Sequence, residues 1–144
     1  MAQAAAVDAW ESLFRAQVSV ARHLSDTFPR EVSFNEYDVL FNLSRQPERA
    51  CRMRELTDRV LLTQPSISRL VDRLVARGWL VKHPDTADGR GTIVQMTDSG
   101  LAIYRNIARL HARAIEARFG SALDAEELHQ LRRLCDRVRL AASS

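Results

Sequence analysis

Ile67, Leu70, Val71 and Leu74 fall at positions i, i+3, i+4 and i+7, and Gly78 follows closely behind them. That spacing draws one apolar stripe along a helix, and a glycine just past the last apolar turn is a left-handed stop. The other side of the same helix carries Pro65, Ser68, Arg69, Asp72 and Arg73. Such a helix buries one face and leaves the other in water. Upstream, Met53, Leu56 and Val60 share one side of a shorter helix, expected over about 52–60, and Leu61-Leu62 connects the two. Thr63 or Gln64 is placed to cap the longer helix, with Pro65 tolerated in its first turn. Downstream, Trp79-Leu80-Val81-Lys82 and Thr92-Ile93-Val94-Gln95-Met96 read as two short strands around a loop of turn formers. Asp88-Gly89 within that loop is a hairpin signal. Short helix, turn, polar-faced helix and two-stranded wing form one continuous block.

The remaining elements are helical. Val7, Trp10, Phe14, Ala21, Leu24 and Phe28 lie on one helix face, and Pro29 is expected to end that helix at Phe28. Ser33 and Glu36 have the spacing of a capping box, followed by Phe34, Tyr37, Leu40 and Phe41 on a helix that Gln46-Pro47 should stop near Arg45. A long helix is expected from Asp98 to Phe119, broken at Gly120-Ser121, with an apolar stripe too wide for one narrow contact. The last helix, about 124–140, sets Leu128, Leu131, Cys135 and Val138 at alternating steps of three and four, a seam that wants a helical partner. The expected fold class is mainly α: a winged helix-turn-helix with a two-stranded β-wing, flanked by N- and C-terminal helices suited to dimerisation. Residues 1–144 form one chain-length domain on this reading. Within it, 33–97 is a DNA-binding lobe, and 7–28 with 98–142 is a helical dimerisation lobe.

Composition narrows the function. With 144 residues, five Gly and four Pro, the chain suits one mostly helical domain rather than a turn-rich β protein. The net charge is +3, and Lys82 is the single lysine, so arginine supplies the rest of the positive charge. Arginine suits bidentate phosphate and guanine contacts. Cys51 and Cys135 are far apart, and His23, His83, His111 and His129 show no paired ligand spacing, so no metal or cofactor is expected. No nucleophile–base set, phosphate loop or dinucleotide loop assembles, so the chain is not expected to be an enzyme. No apolar run approaches the length of a membrane span and no secretory leader opens the chain, so a cytoplasmic protein without membrane contact is expected.

A helix-turn-helix lays its second helix in the major groove and offers its first turns to base edges. Gln64, Pro65, Ser66, Ser68, Arg69 and Arg73 occupy those positions here. Gln pairs with adenine, Arg with guanine or phosphate, and Ser with several edges. Arg90, beside glycines at the hairpin tip, suits the narrow minor groove, and Arg54 suits a backbone phosphate. The partner these residues imply is double-stranded DNA. A solvated helix face with Asp72 pairing Arg69 and Arg73 is the plainer alternative.

The run Met53-Arg54-Glu55-Leu56-Thr57, then Thr63–Leu74 and Arg77-Gly78-Trp79-Leu80-Val81, resembles the MarR (multiple antibiotic resistance regulator) family. The wing from Asp85 through Asp88-Gly89-Arg90 to Thr97-Asp98-Ser99-Gly100 is similar to that family's wing and exit into its long helix. The resemblance implies a transcription regulator, a repressor in the first instance, acting as a homodimer on a pseudo-palindromic operator. Half-sites would lie about 34–36 Å apart. It implies a dimer built from the terminal helices, here through Val7, Trp10, Leu128, Leu131, Cys135 and Val138. It also implies that Asp85 or Asp88 supports the wing arginine. A small aromatic or anionic effector would be met by Trp10, Phe14, Val18, His23, Tyr37, Phe41 and Tyr104. The chain departs from the family pattern at Leu61, where a glycine is frequent, and at Gly89, where a second basic residue is usual. Two other classes remain open on sequence: a winged-helix protein–protein module, and a thiol sensor using Cys51, whose neighbours Arg49, Arg52 and Arg54 would favour a thiolate.

Overall fold

The computed structural model describes residues 1–61 and 64–144, with the side chain of Gln64 left aside. Among these residues the order is α1 (Ala2–Ser25), α2 (Phe34–Ser44), β1 (Ala50–Arg52), α3 (Met53–Arg59), α4 (Gln64–Ala76), β2 (Leu80–Pro84), β3 (Thr92–Met96), α5 (Asp98–Ile115) and α6 (Ala125–Ala142). Residues Met1–Thr27 and His111–Ser144 form one compact unit, and Phe28–Leu110 form the other.

The second unit holds the winged helix-turn-helix. Its core is the buried face of α4 (Ile67, Leu70, Val71 and Leu74) against Val39, Leu40 and Leu43 of α2, Leu56 of α3, and Leu80, Val94 and Met96 of the sheet. Each such side chain, fully buried, contributes about 1.5–3 kcal/mol, so the stripe read from the sequence is what fixes α4 in place. Gly78 has φ +80°, and behind it the Gly78 amide bonds the Val75 carbonyl at 2.9 Å and the Trp79 amide bonds Leu74 at 3.1 Å. This pair of bonds is a Schellman stop, the ending expected for that glycine.

The sheet has three strands in the order β1-β3-β2, all antiparallel, with Cys51 opposite Val94 and Leu80 opposite Met96. The β2–β3 wing appears as expected, and β1 adds to its other edge. Three residues, Ala-Cys-Arg, are too short to carry a period-2 pattern, so β1 left no signal in the sequence. The hairpin expected at Asp88-Gly89 forms, and its tip is built on Asp88 rather than on a left-handed glycine. Among the described glycines only Gly78 has positive φ, so Gly89 does not make a mirror-image turn. Instead the Asp88 carboxylate accepts the Arg90 amide at 3.2 Å and the Asp88 carbonyl accepts the Gly91 amide at 2.9 Å, an Asx-type turn.

Thr97 explains the exit from the wing. Its hydroxyl donates to the Gly78 carbonyl at 2.7 Å and accepts the Gly100 amide at 3.0 Å, capping α5. At the start of α2, Ser33 accepts the Glu36 amide at 3.1 Å as expected. The Glu36 carboxylate, however, meets the Ser33 hydroxyl and Arg77.

In the first unit, α1 starts at Ala2 because the alanine run is strongly helix-favouring. It stops at Ser25, short of Phe28. Hydroxyls of Ser25 and Thr27 take the carbonyls of Arg22 and Leu24 at 2.9 and 2.6 Å, closing the helix before Pro29 can. Gly120-Ser121 does not break the chain either. Gly120 closes a π-type turn, Glu116–Gly120, and Ser121 follows it with Oγ donating to the Ala117 carbonyl at 2.7 Å. The chain turns at Asp124, which forms a reciprocal capping box with Glu127 at the head of α6. No residue of α1 or α6 is buried, and Val7, Trp10, Phe14, Leu134 and Val138 are exposed.

Candidate nucleic-acid interface

Helix α4 turns Pro65, Ser68, Arg69, Asp72 and Arg73 outward, and Ser66 is half-buried. Asp72, the one acid of this helix, is paired with Lys82 of β2 at 2.5 Å. The alternative in which Asp72 neutralises Arg69 and Arg73 is therefore not what forms. Neither arginine makes an ion pair among the described residues. Arg77, one turn further on, is committed to the fold. Its guanidinium donates to the Glu31 carbonyl, lies 3.3 Å from Glu36 and covers the Trp79 ring at 4.9 Å.

Helix α3 leaves Arg54 exposed in its first turn, also without an ion pair among the described residues. The turn after α3 is held from α2. Asp38 Oδ2 accepts the Leu61 amide at 3.0 Å, while Asn42 donates to Oδ1 at 3.2 Å. Burial raises the Asp38 carboxyl above its ordinary range, and the Leu61 and Asn42 bonds oppose the rise. Leu62 and Thr63, and with Thr63 the suggested cap, lie outside the described residues.

The wing tip is exposed at Thr86, Ala87, Gly89 and Arg90, and Arg90 makes no ion pair among the described residues. Asp85 is buried. Its carboxylate accepts Arg52 Nε at 2.6 Å and the Ala87 amide at 3.0 Å. The Ala87 bond, then Arg52, holds this carboxyl below the usual range against its own burial. Asp88 meets the Arg90 main chain rather than its guanidinium. Nothing in the sequence marks Asp38, and Arg52 stands out there only as a basic neighbour of Cys51, not as a partner of Asp85. Both act across long chain separations on polar groups, for which helical periodicity gives no sign.

The residues suggested for an effector fall into two sets. Tyr37 stacks on Tyr104 at 5.7 Å, lies 6.4 Å from Phe41 and meets Phe28 edge-on at 5.4 Å. Burial, then the Tyr104 phenol, pushes the Tyr37 hydroxyl up to about 12. In the other unit Trp10 stacks on Phe14 at 5.7 Å, Val18 is half-buried and His23 is exposed. Among the dimer candidates Leu128, Leu131 and Cys135 are half-buried.

Cys51 runs against the thiol-sensor reading. It is buried in the core, and burial followed by Glu55 raises its pKa, with Arg59 opposing weakly. The basic neighbours do not win because desolvation is the largest effect. Among the described residues no group of three or more His, Cys, Asp or Glu could hold a metal ion, and no helix is long and apolar enough to cross a membrane.

Residues 31–91 match the sequence profile of the MarR family. The uncharacterized HTH-type transcriptional regulator YkoM of Bacillus subtilis (strain 168) is 32% identical over 129 residues, covering 88% of this chain and 80% of that protein. The chain belongs to the MarR family. Solved structures of MarR family proteins superpose on nearly the whole of it. Sco3205 from Streptomyces coelicolor, in complex with DNA, has a TM-score of 0.79 at 28% identity, covering 93% of this chain and 83% of that one. PcaV from the same organism, in complex with its natural ligand, has a TM-score of 0.75 at 30% identity, covering 90% and 91%. This MarR-family protein is a DNA-binding transcription regulator of the winged helix-turn-helix type, not an enzyme.

Proposed function

We propose that this regulator works in the cytoplasm as a homodimeric repressor on a pseudo-palindromic operator, with its DNA affinity set by a small aromatic or anionic effector. Residues 33–97 form the DNA lobe on this reading, and 7–28 with 98–142 the dimerisation lobe. Gln64, Pro65, Ser66, Ser68, Arg69 and Arg73 enter the major groove, Arg90 reaches the minor groove, and Arg54 meets a phosphate. The observation that carries the proposal is the outer face of α4, where Arg69 and Arg73 stay exposed while Asp72 is taken by Lys82. The DNA complex of Sco3205 supports the same use of the fold.

Dimerisation draws support from α1 and α6. Val7, Trp10, Phe14 and Val138 are each half or more exposed, although long helices with such seams ordinarily bury them. The effector is argued from PcaV, which holds its natural ligand, and from the aromatic group Tyr37, Phe41 and Tyr104. A nuclease footprint on the DNA flanking the chain's own coding sequence tests the proposal. Two protected half-sites about one helical turn apart are expected, and a titration with aromatic acids should shift the protection. Uniform weak protection that never resolves into half-sites contradicts it.

A further inference from the structure

We propose that Arg52 is a positioning residue for the wing, fixing where Arg90 is presented through the buried carboxylate of Asp85. The inference rests on the reading of Arg90 as a DNA contact and deepens it. In the sheet, Arg52 of β1 stands opposite Ile93 of β3, and Ile93 stands opposite His83 of β2. Asp85 follows directly after β2 ends at Pro84. The Arg52 side chain therefore spans the central strand to reach the far side of the sheet, where its Nε lies 2.6 Å from Asp85 Oδ2.

Asp85 gathers the neck of the wing. Its second oxygen accepts the Ala87 amide at 3.0 Å, and its own amide donates to the Gly91 carbonyl at 3.0 Å. Gly91 in turn bonds the Asp88 carbonyl, and the Asp88 carboxylate holds the Arg90 amide. A chain of bonds thus runs from β1 to the residue at the exposed tip. Asp85 is only 6% exposed, whereas Thr86, Ala87, Gly89 and Arg90 around it are open to solvent. Nothing apolar in that tip fixes its conformation, so the polar neck does. A hairpin held in one conformation delivers its arginine without ordering it at the moment of binding. Arg52 also precedes the first residue of α3, so the same side chain ties the start of the helix bearing Arg54 to the wing.

The test is a mutant cycle on binding to a fluorescein-labelled random-sequence duplex, read by anisotropy over a series of salt concentrations. R52Q/D85N removes both charges together, so that no buried carboxylate is left unpaired. We expect R90A to weaken binding by about tenfold and lower the salt slope by about one. R52Q/D85N should lose a similar factor, and R52Q/D85N/R90A should bind no more weakly than R90A alone. R52K, which keeps the charge pair, should bind nearly as tightly as the parent, and R52Q alone takes the double variant's place in the cycle where R52Q/D85N proves too unstable to assay. Additive losses in the triple variant, or a parent-like R52Q/D85N beside a damaged R90A, overturn the inference while leaving the wing reading intact. A parent-like R90A overturns the wing reading and the inference with it.

Discussion

Lys82 on β2 lies 2.5 Å from Asp72 on the outer face of α4, so the helix's one carboxylate is neutralised by a strand rather than by its own arginines. Both partners are well exposed, and such a pair is worth about 0–1 kcal/mol of stability. Its consequence is electrostatic. K82A frees Asp72 to approach Arg69, one turn back, or Arg73 beside it, and should weaken duplex binding by more than the loss of one distant charge. D72N should tighten binding to any duplex by about threefold, with no change in melting temperature. Anisotropy titrations of both variants check this. Equal and opposite effects of the same size would mean that only net charge matters.

Gly100 sits where the head of α5 crosses the wing's exit. A Cβ there would fall on the Trp79 carbonyl oxygen and come within 3.0 Å of Met96 Cγ. Backbone cannot swing aside as a side chain can, so G100A should cost about 1–3 kcal/mol. Urea unfolding measures it, and a parent-like midpoint would mean the crossing is looser than described.

Asp38 makes a pH prediction whose sign follows from burial. Its carboxyl is raised, so the folded protein binds that proton more tightly than the unfolded chain does. The ionised form thus costs stability at neutral pH, and the cost is relieved as pH falls through the folded value towards the unfolded one. D38N keeps an acceptor for the Leu61 amide without the charge. It should match or exceed the parent's melting temperature at neutral pH, and its advantage should shrink on mild acidification. An advantage that grows on acidification contradicts the assignment.

Cys51 should be a slow thiol. In a C135S background, iodoacetamide should modify the native protein far more slowly than the denaturant-unfolded chain, because burial holds the thiol protonated and covered. Equal rates in the two states would reopen the redox reading.

Much of this molecule could be read before any coordinates, and the reason is periodicity. Ile67, Leu70, Val71 and Leu74 repeat with the helix, Val94 and Met96 alternate with the strand, and Gly78 stops α4 with the positive φ its position implied. What escaped had no period to detect. β1 is three residues long and exists because Cys51 pairs with Val94 across a long stretch of chain. The early end of α1 depends on two hydroxyls, and the continuation past Gly120 on a single widened turn. The site divides in the same way. Which α4 residues face outward follows from the stripe, whereas the partners of Asp72, Asp85 and Asp38 come from other elements and were invisible one segment at a time.

The outward arginines of α4, Arg69 and Arg73, are the residues on which duplex binding should depend most directly. The salt dependence of duplex binding for R69A/R73A against the parent, with folding checked by circular dichroism, measures their part. Loss of about a hundredfold in affinity, with a salt slope lower by about one to two, is expected if both meet DNA. Parent-like affinity and slope in a folded R69A/R73A would contradict it.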